Sequence, residues 1–338
     1  MVLGAAWDMK IRELMMTKKV NFLLGSGTSV PGIPLMSQFK SDNCNESQSN
    51  NLLLQAICER SKKILELNSV DIENTQNDEE ISDLVTTRNT YIRFVRGIIS
   101  ILYLANSREV PRVVNIFTTN YDLFLESAID HVMKSESFVF NDGARGYFDR
   151  ELESSNFNQV VSYRGLNNNY INEIPSITLI KPHGSVNWKR KGNKLLVENN
   201  VVENPAVVLP DHHEEQQTFM DNHFHEMLRV FQLELDKPQS VLMVIGFSFQ
   251  DQHIAKMIRR ALRNKELLII CFCYDDNDVK TILKNLQYGS EELPNNLKIK
   301  RPTDFLKPKE TSKKTFVLSD LIELLSVDDL DGDWDDDE

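Results

Sequence analysis

The sequence has no apolar run long enough to cross a bilayer. Its longest, Val241 to Phe249 and Leu267 to Tyr274, fall well short of the roughly 20 residues a spanning helix needs. The first residues, MVLGAAWDMKIRELMMTKK, lack the charged start, apolar block and small-residue cleavage site of a secretory signal. Cysteine is scarce: Cys44, Cys58, Cys271 and Cys273 include no C-x-x-C pair, which speaks against a zinc ribbon or a disulfide framework. These absences together point to a reducing, cytoplasmic setting. Basic charge is also short. The net charge is −12, and eight acidic residues crowd positions 328 to 338, leaving about −4 for the rest. Such a body has no electrostatic footprint for nucleic acid. The local clusters Lys189-Arg190-Lys191 and Lys298-Lys300-Arg301 are the two places where one could arise.

What is present is an ordinary apolar fraction, 41% of 338 residues, enough for a sizeable core. Apolar spacing predicts helices at about 7–18, 51–66 and 79–106, with Ile81, Leu84, Val85, Tyr91, Ile92, Phe94 and Val95 on the apolar side of the last. Strands are predicted at 19–24 and 113–117. Polar stretches 41–50 and 68–78 read as loops. Short strands and turns fill 137–200. Beyond about 212 the pattern alternates: helix 213–235, strand 241–246, helix 250–263, strand 267–274, helix 277–287. Alternation at both ends predicts an α/β fold, a Rossmann-like parallel sheet with helices on both faces. A helical module is inserted at about 35–110 and a strand/turn segment at about 137–200. Residues 1–310 form the main domain in this reading, and 311–338 a C-terminal helix and acidic tail. No internal repeat is present.

Against this frame the stretch FLLGSGTSVPGIP, Phe22 to Pro34, stands out. A strand running into Gly25-Ser26-Gly27 starts like a dinucleotide-binding turn, in which backbone approaches a pyrophosphate. The third glycine is absent, since position 30 is valine, and Pro31 stands where a helix should be under way. A degraded dinucleotide turn, an unrelated loop and a phosphate loop of another kind all fit this stretch alone. Three other predicted strands also end in polar knots: Thr118-Thr119-Asn120-Tyr121-Asp122, Lys181-Pro182-His183-Gly184-Ser185, and Gly246 through His253. Singly, each has a plain structural explanation, such as Asn120 capping the helix that starts near Tyr121. Four on one sheet would converge at its carboxyl edge, where open α/β sheets bind ligands.

The ordered set G-S-G-T-S-x-P-G-I-P, T-T-N-Y-D, P-H-G-S and G-F-S-F-x-D-x-H-I resembles the sirtuin-like family of bacterial anti-phage NAD hydrolases. Phe140-Asn141-Asp142-Gly143 is similar to a further segment of that family, and the likeness runs from about 19 to 274. It implies a Rossmann-type domain with NAD as substrate and no metal. Gly25, Ser26, Gly27 and Ser29 would line its phosphates, with Pro34 and Thr119 beside them. Gly246 and Ser248 would hold the adenosine-side ribose phosphate. Asn120 and Asp122 match the nicotinamide-pocket pair, and His183 the catalytic histidine. Cleavage would yield nicotinamide and ADP-ribose and deplete NAD in anti-phage defence. Homo-oligomerisation or a HerA-type ATPase would restrain it. The alternative is an NAD- or ADP-ribose-binding assembly module with weak or no cleavage, or with nuclease activity in the complex. Deacetylating sirtuins carry a four-cysteine zinc module that this chain lacks, so the resemblance does not extend to deacetylation. Their Asp-Phe-Arg after Gly-Ile-Pro is replaced by Leu35-Met36-Ser37, and the loop is one residue shorter before Gly32.

Other groups favour plainer readings. Asp211-His212-His213-Glu214 and His223-Phe224-His225-Glu226 suggest a metal site, but His223 and His225 fall on different helix faces and no H-E-x-x-H is present. Cys271 and Cys273 alternate onto one face of a buried strand, as packing residues do. Asp251 and His253 read as a cap and first-turn charge. Val327, Leu330 and Trp334 would share a face were the tail helical, making it a docking peptide for a basic groove.

Overall fold

The structure is a computed structural model and describes residues 3–39, 46–67, 78–105, 110–162, 173–209, 222–289, 293–305 and 314–326. Helix α1 (Leu3–Thr17) leads into β1 (Lys19–Leu24), then α2 (Glu46–Glu66), α3 (Glu79–Leu104), β2 (Val113–Thr118) and α4 (Phe124–Met133). Five short strands follow: β3 (Val139–Asn141), β4 (Ala144–Arg145), β5 (Glu151–Leu152), β6 (Ser176–Ile180) and β7 (Trp188–Lys191). After β8 (Lys194–Val197) come α5 (Asn222–Asp236), β9 (Ser240–Ile245), α6 (Gln252–Ala261), β10 (Leu268–Phe272), α7 (Asp278–Asn285), β11 (Leu297–Lys300) and α8 (Leu318–Leu325).

Seven strands make one sheet in the order β11-β10-β9-β1-β2-β6-β3, and every pairing in it is parallel. Runs such as Asn21-Phe22-Leu23-Leu24 are buried on both faces, as strands under a double layer of helices must be. The side chains alternate accordingly. Phe22, Leu24, Val114, Ile116, Met243 and Ile245 face a core shared with α1, α3, α4 and α8. Leu23, Phe117, Leu242 and Val244 face the opposite core, under α5, α6 and α7. The two-faced α/β architecture expected from the sequence is therefore present.

The chain leaves β1 for β2 on one side, and returns to pair β9 on the other. That reversal opens a crevice at the carboxyl ends of β1 and β9. The four strands whose ends carry polar knots, β9, β1, β2 and β6, are contiguous in the sheet.

Several features differ from the sequence reading. The segment 137–200 is not one insertion: β3 and β6 belong to the main sheet, and β4, β5, β7 and β8 form a second sheet. Lys189-Arg190-Lys191 lies in β7 of that sheet, and Lys298 and Lys300 lie in the edge strand β11, where lysines discourage further pairing. Helix α4 starts at Phe124 rather than near Tyr121, because Asp122 turns the chain by accepting from the Phe124 amide. Residues 41–45, 68–77, His212, His213 and the acidic tail lie outside the described residues, as does the first part of the helix expected at 213–235. Among the described residues no helix is long and apolar enough to cross a membrane.

Candidate functional site

The turn after β1 and the turn after β9 touch backbone to backbone. The Gly25 amide donates to Ile245 O at 3.1 Å and the Gly27 amide to Gly246 O at 3.0 Å. A Cβ on Gly25 would stand 2.3 Å from Gly246 O, so no side chain fits there. Gly246 itself has φ of +65°, in the left-handed region, and a Cβ on it would meet Thr28 N at 2.7 Å. The Gly-x-Gly spacing thus serves loop-to-loop packing. The Gly25 and Gly27 amides are thus engaged inside the protein. Ser26 is exposed and Ser248 half-buried.

The turn after β1 is equally tied to the turn after β2. The Asn120 side-chain amide donates to Gly25 O at 3.1 Å and Ser29 Oγ at 3.0 Å. Ser29 Oγ in turn donates to Asp122 Oδ2 at 2.8 Å. Tyr91, reaching over from α3, places its hydroxyl 2.8 Å from Thr28 Oγ1 and 3.0 Å from Ser29 Oγ. Ser29, Asn120, Asp122 and Tyr91 are all buried. Burial pushes the Asp122 carboxyl up; Lys181, the Ser29 hydroxyl and the Phe124 amide offset this only in part. Burial likewise drives the Tyr91 phenol up, so it stays a neutral donor.

From β2 the ties continue to β6. Lys181 Nζ donates to Asp122 O at 2.5 Å, Glu126 Oε1 at 2.7 Å and Ser185 Oγ at 3.0 Å. His183 follows two residues on, its Nε2 standing 3.0 Å from Asp251 Oδ2. Asp251 caps α6, its Oδ1 accepting from the His253 and Ile254 amides at 2.8 and 3.1 Å. Burial alone would raise the Asp251 carboxyl; His183 and the two backbone amides outweigh it and hold it below its ordinary value. Strands β6 and β9 are separated by β2 and β1, so the His183–Asp251 contact arches over the ends of both. The ties from β9 to β1, to β2, to β6 and back make a closed ring around the crevice.

The loop Val30 to Pro34 is anchored by α2 and α3. The Gly32 amide donates to Thr87 Oγ1 at 3.0 Å, and Arg60 Nη1 donates to Gly32 O at 2.6 Å. Pro34 is half-buried in this loop, and Thr119 half-buried with its amide on Leu24 O at 3.3 Å. The Asn141-Asp142-Gly143 step builds the second sheet: Gly143 has φ of +78°, and Arg150 clasps both Asp142 oxygens at 2.9 and 2.8 Å.

Three contributors were hard to see in the sequence. Tyr91 reads as one more apolar position of α3, and Asp251 as a cap only. Lys181 stands in the knot but carries no sign of which carboxylate it meets. The other candidates separate from the site. His223 Nε2 lies 3.0 Å from Asn193 O on the far layer, and His225 is exposed. Among the described residues no three His, Cys, Asp or Glu side chains are grouped to hold a metal. Cys271 and Cys273 are buried in the α5–α6 core, and burial pushes the Cys273 thiol up to about 12.

The family model of the SIR2-like domain matches residues 114–266 of the chain. That span includes β2, β6 and β9 with Asn120, Asp122, His183, Gly246, Ser248 and Asp251, and stops short of β1 and its turn. A solved structure of a Sir2 homologue, a serine-to-alanine mutant in complex with ADP-ribose, is 14% identical to this chain. It aligns over 83% of this chain and 99% of its own length, with a TM-score of 0.40. No curated protein matches the sequence.

Proposed function

We propose that the chain is an NAD glycohydrolase acting in the crevice ringed by Ser29, Asn120, Asp122 and His183. The observation that carries this reading is the ring itself: four polar strand ends meet at the switch point of a parallel sheet, within and beside a SIR2-like match.

The reaction adds water across the nicotinamide–ribose bond, giving nicotinamide, ADP-ribose and a proton. The nicotinamide leaves as a neutral molecule, so little acid help is needed; orientation and a base beside the ribose are what the protein must supply. In this reading Asn120 and Asp122 orient the carboxamide and the attacking water. His183 accepts the proton. Asp251, held ionised, positions the ring and stabilises its charged form. Ser26 and Ser248 meet the phosphates and ribose, with Gly25, Gly27 and Gly246 setting the turns and Pro34 and Thr119 closing over the substrate. Unrestrained NAD loss is toxic, so the reading includes an off state held by oligomerisation or a HerA-type ATPase, and a role in bacterial anti-phage defence. The test is chromatographic quantification of nicotinamide and ADP-ribose from NAD, with and without an ATPase encoded beside it. Stoichiometric appearance of both products supports the reading; intact NAD under every condition sinks it.

A second reading, an ADP-ribose-binding assembly module, draws support from one feature. The Asn120 amide is committed inward to Gly25 O and Ser29 Oγ, as a structural clamp would be. Calorimetric binding of ADP-ribose without turnover of NAD would favour it.

A further inference from the structure

The Ser29 hydroxyl meets Asp122 Oδ2 at 2.8 Å, the Asn120 side-chain nitrogen at 3.0 Å and the Tyr91 hydroxyl at 3.0 Å. The Tyr91 hydroxyl continues to Thr28 Oγ1 at 2.8 Å, and Thr28 Oγ1 to Gly25 O at 2.7 Å. Asp122, Ser29, Tyr91, Thr28 and the Gly25 carbonyl therefore form one buried chain of hydrogen bonds. The Tyr91 ring is held independently of its hydroxyl, stacked on Phe124 with centroids 5.6 Å apart. Tyr91 belongs to α3, outside the residues that the SIR2-like domain matches.

Each hydroxyl owns one hydrogen, so the chain can be counted. With Asp122 ionised, Ser29 donates to Asp122 Oδ2 and Thr28 to Gly25 O. Both neighbouring hydroxyl hydrogens are then spent, and Tyr91 donates to Thr28 Oγ1 or Ser29 Oγ. With Asp122 protonated on Oδ2, its O–H points at Ser29 Oγ, and the Ser29 hydrogen needs another acceptor. The Asn120 nitrogen only donates, so the Tyr91 oxygen takes it. The Tyr91 hydrogen then goes to Thr28 Oγ1, and Thr28 still donates to Gly25 O. No polar group is stranded in either form. A proton on Oδ1 has no acceptor among the described residues, because the group on that oxygen is the Phe124 amide, a donor. Lys181, at the end of β6, favours the carboxylate, whereas burial and nearby Glu126 of α4 favour the acid. The Tyr91 phenol stays neutral throughout.

We infer that Tyr91 is a positioning residue of the crevice: its hydroxyl lets Ser29 reverse its hydrogen, so that Asp122 takes up and loses a proton with every buried partner satisfied. Only hydrogens turn. No O–H bond of the three hydroxyls breaks, and the added proton comes from solvent. The inference gives the site a built-in response to pH and rests on the reading of the crevice as the place of NAD cleavage.

Carbon NMR of the full chain labelled at its aspartate carboxyls, titrated without NAD, tests it. The Asp122 signal is identified by its loss in Asp122→Asn. Tyr91→Phe keeps the stacked ring but removes the acceptor, so a protonated Asp122 strands the Ser29 hydrogen. Asp122 is expected to hold its proton about tenfold more weakly in this variant, the cost of one stranded buried donor. Thr28→Val removes the next acceptor and is expected to act in the same direction, while Thr28→Ser restores the wild-type titration. The Thr28 pair decides the matter if Tyr91→Phe fails to fold. An unchanged or tighter proton in Tyr91→Phe overturns the inference, as does a Thr28→Ser protein that behaves like Thr28→Val. A wild-type Asp122 that keeps one form across the folded pH range overturns it too. The titration does not read turnover, so the expected shifts in a chain that leaves NAD intact would sink the cleavage reading alone.

Discussion

His183 and Asp251 meet at 3.0 Å although they belong to turns that follow strands separated by two others. One carboxylate does two jobs in this contact. Through Oδ1 it caps α6, and through Oδ2 it faces the imidazole. The catalytic assignment of His183 therefore has a structural counterpart in the start of a helix, and the two can be separated by mutation.

Asp251→Asn keeps a capping oxygen but removes the charge facing His183. Turnover is expected to fall on the order of ten- to a hundredfold, with ADP-ribose still bound. The pH dependence of stability supplies a second readout of the lost charge. Asp251 sits below its ordinary value, so its contribution to stability is present above the ordinary carboxylate range and is lost only as pH falls through its lowered pKa. The acid limb of the wild-type stability curve is expected to lose this component in Asp251→Asn.

Asp122 has the opposite sign. Its carboxyl is raised by burial, so the stability it contributes is present below its unfolded pKa and is lost as pH rises through the folded one. Asp122→Asn removes the buried charge and keeps one oxygen, which the Phe124 amide can use as it uses Oδ1, while an amide nitrogen replaces the Oδ2 that accepts from Ser29. Thermal scans should show a variant level with the wild type in acid and more stable by about 2 °C or more near neutrality. Nicotinamide release should fall in the same variant. A loss of stability at neutral pH would show that the charge, not its burial, dominates here.

Gly246→Ala probes the contact between the β1 and β9 turns. It forces a side chain onto a φ of +65° with Thr28 N only 2.7 Å away. A loss of roughly 1–3 kcal/mol by chemical denaturation is expected, with weaker ADP-ribose binding.

Arg60 fixes the Val30–Pro34 loop through Gly32 O at 2.6 Å. Arg60→Ala should raise KM for NAD by about tenfold, one charge-assisted hydrogen bond, with a smaller effect on kcat. An unchanged KM would mean that Thr87 alone holds the loop.

Much of the sheet was legible because its strands are apolar runs cut short by residues that strands do not tolerate. Gly25, Asn120, Pro182 and Gly246 each mark an end, and the ends of β9, β1, β2 and β6 lie side by side. The hidden parts follow from physics that spacing does not encode. Strand β11 is Leu-Lys-Ile-Lys, an edge strand whose alternation looks like a basic surface patch. Strands β4 and β5 are two residues each, too short to show any period. Tyr91 satisfies the apolar stripe of α3 with its ring while its hydroxyl serves the site, a dual use that a helical period conceals. The His183–Asp251 contact depends on strand order, which no local pattern contains.

The most direct measurement is nicotinamide release from NAD by the wild type and by His183→Ala. Both are assayed under the same partner conditions, and ADP-ribose binding is followed in parallel. The account expects release by the wild type and a fall of about a hundredfold or more in His183→Ala, with ADP-ribose still bound. Undiminished release from a folded His183→Ala protein would contradict it.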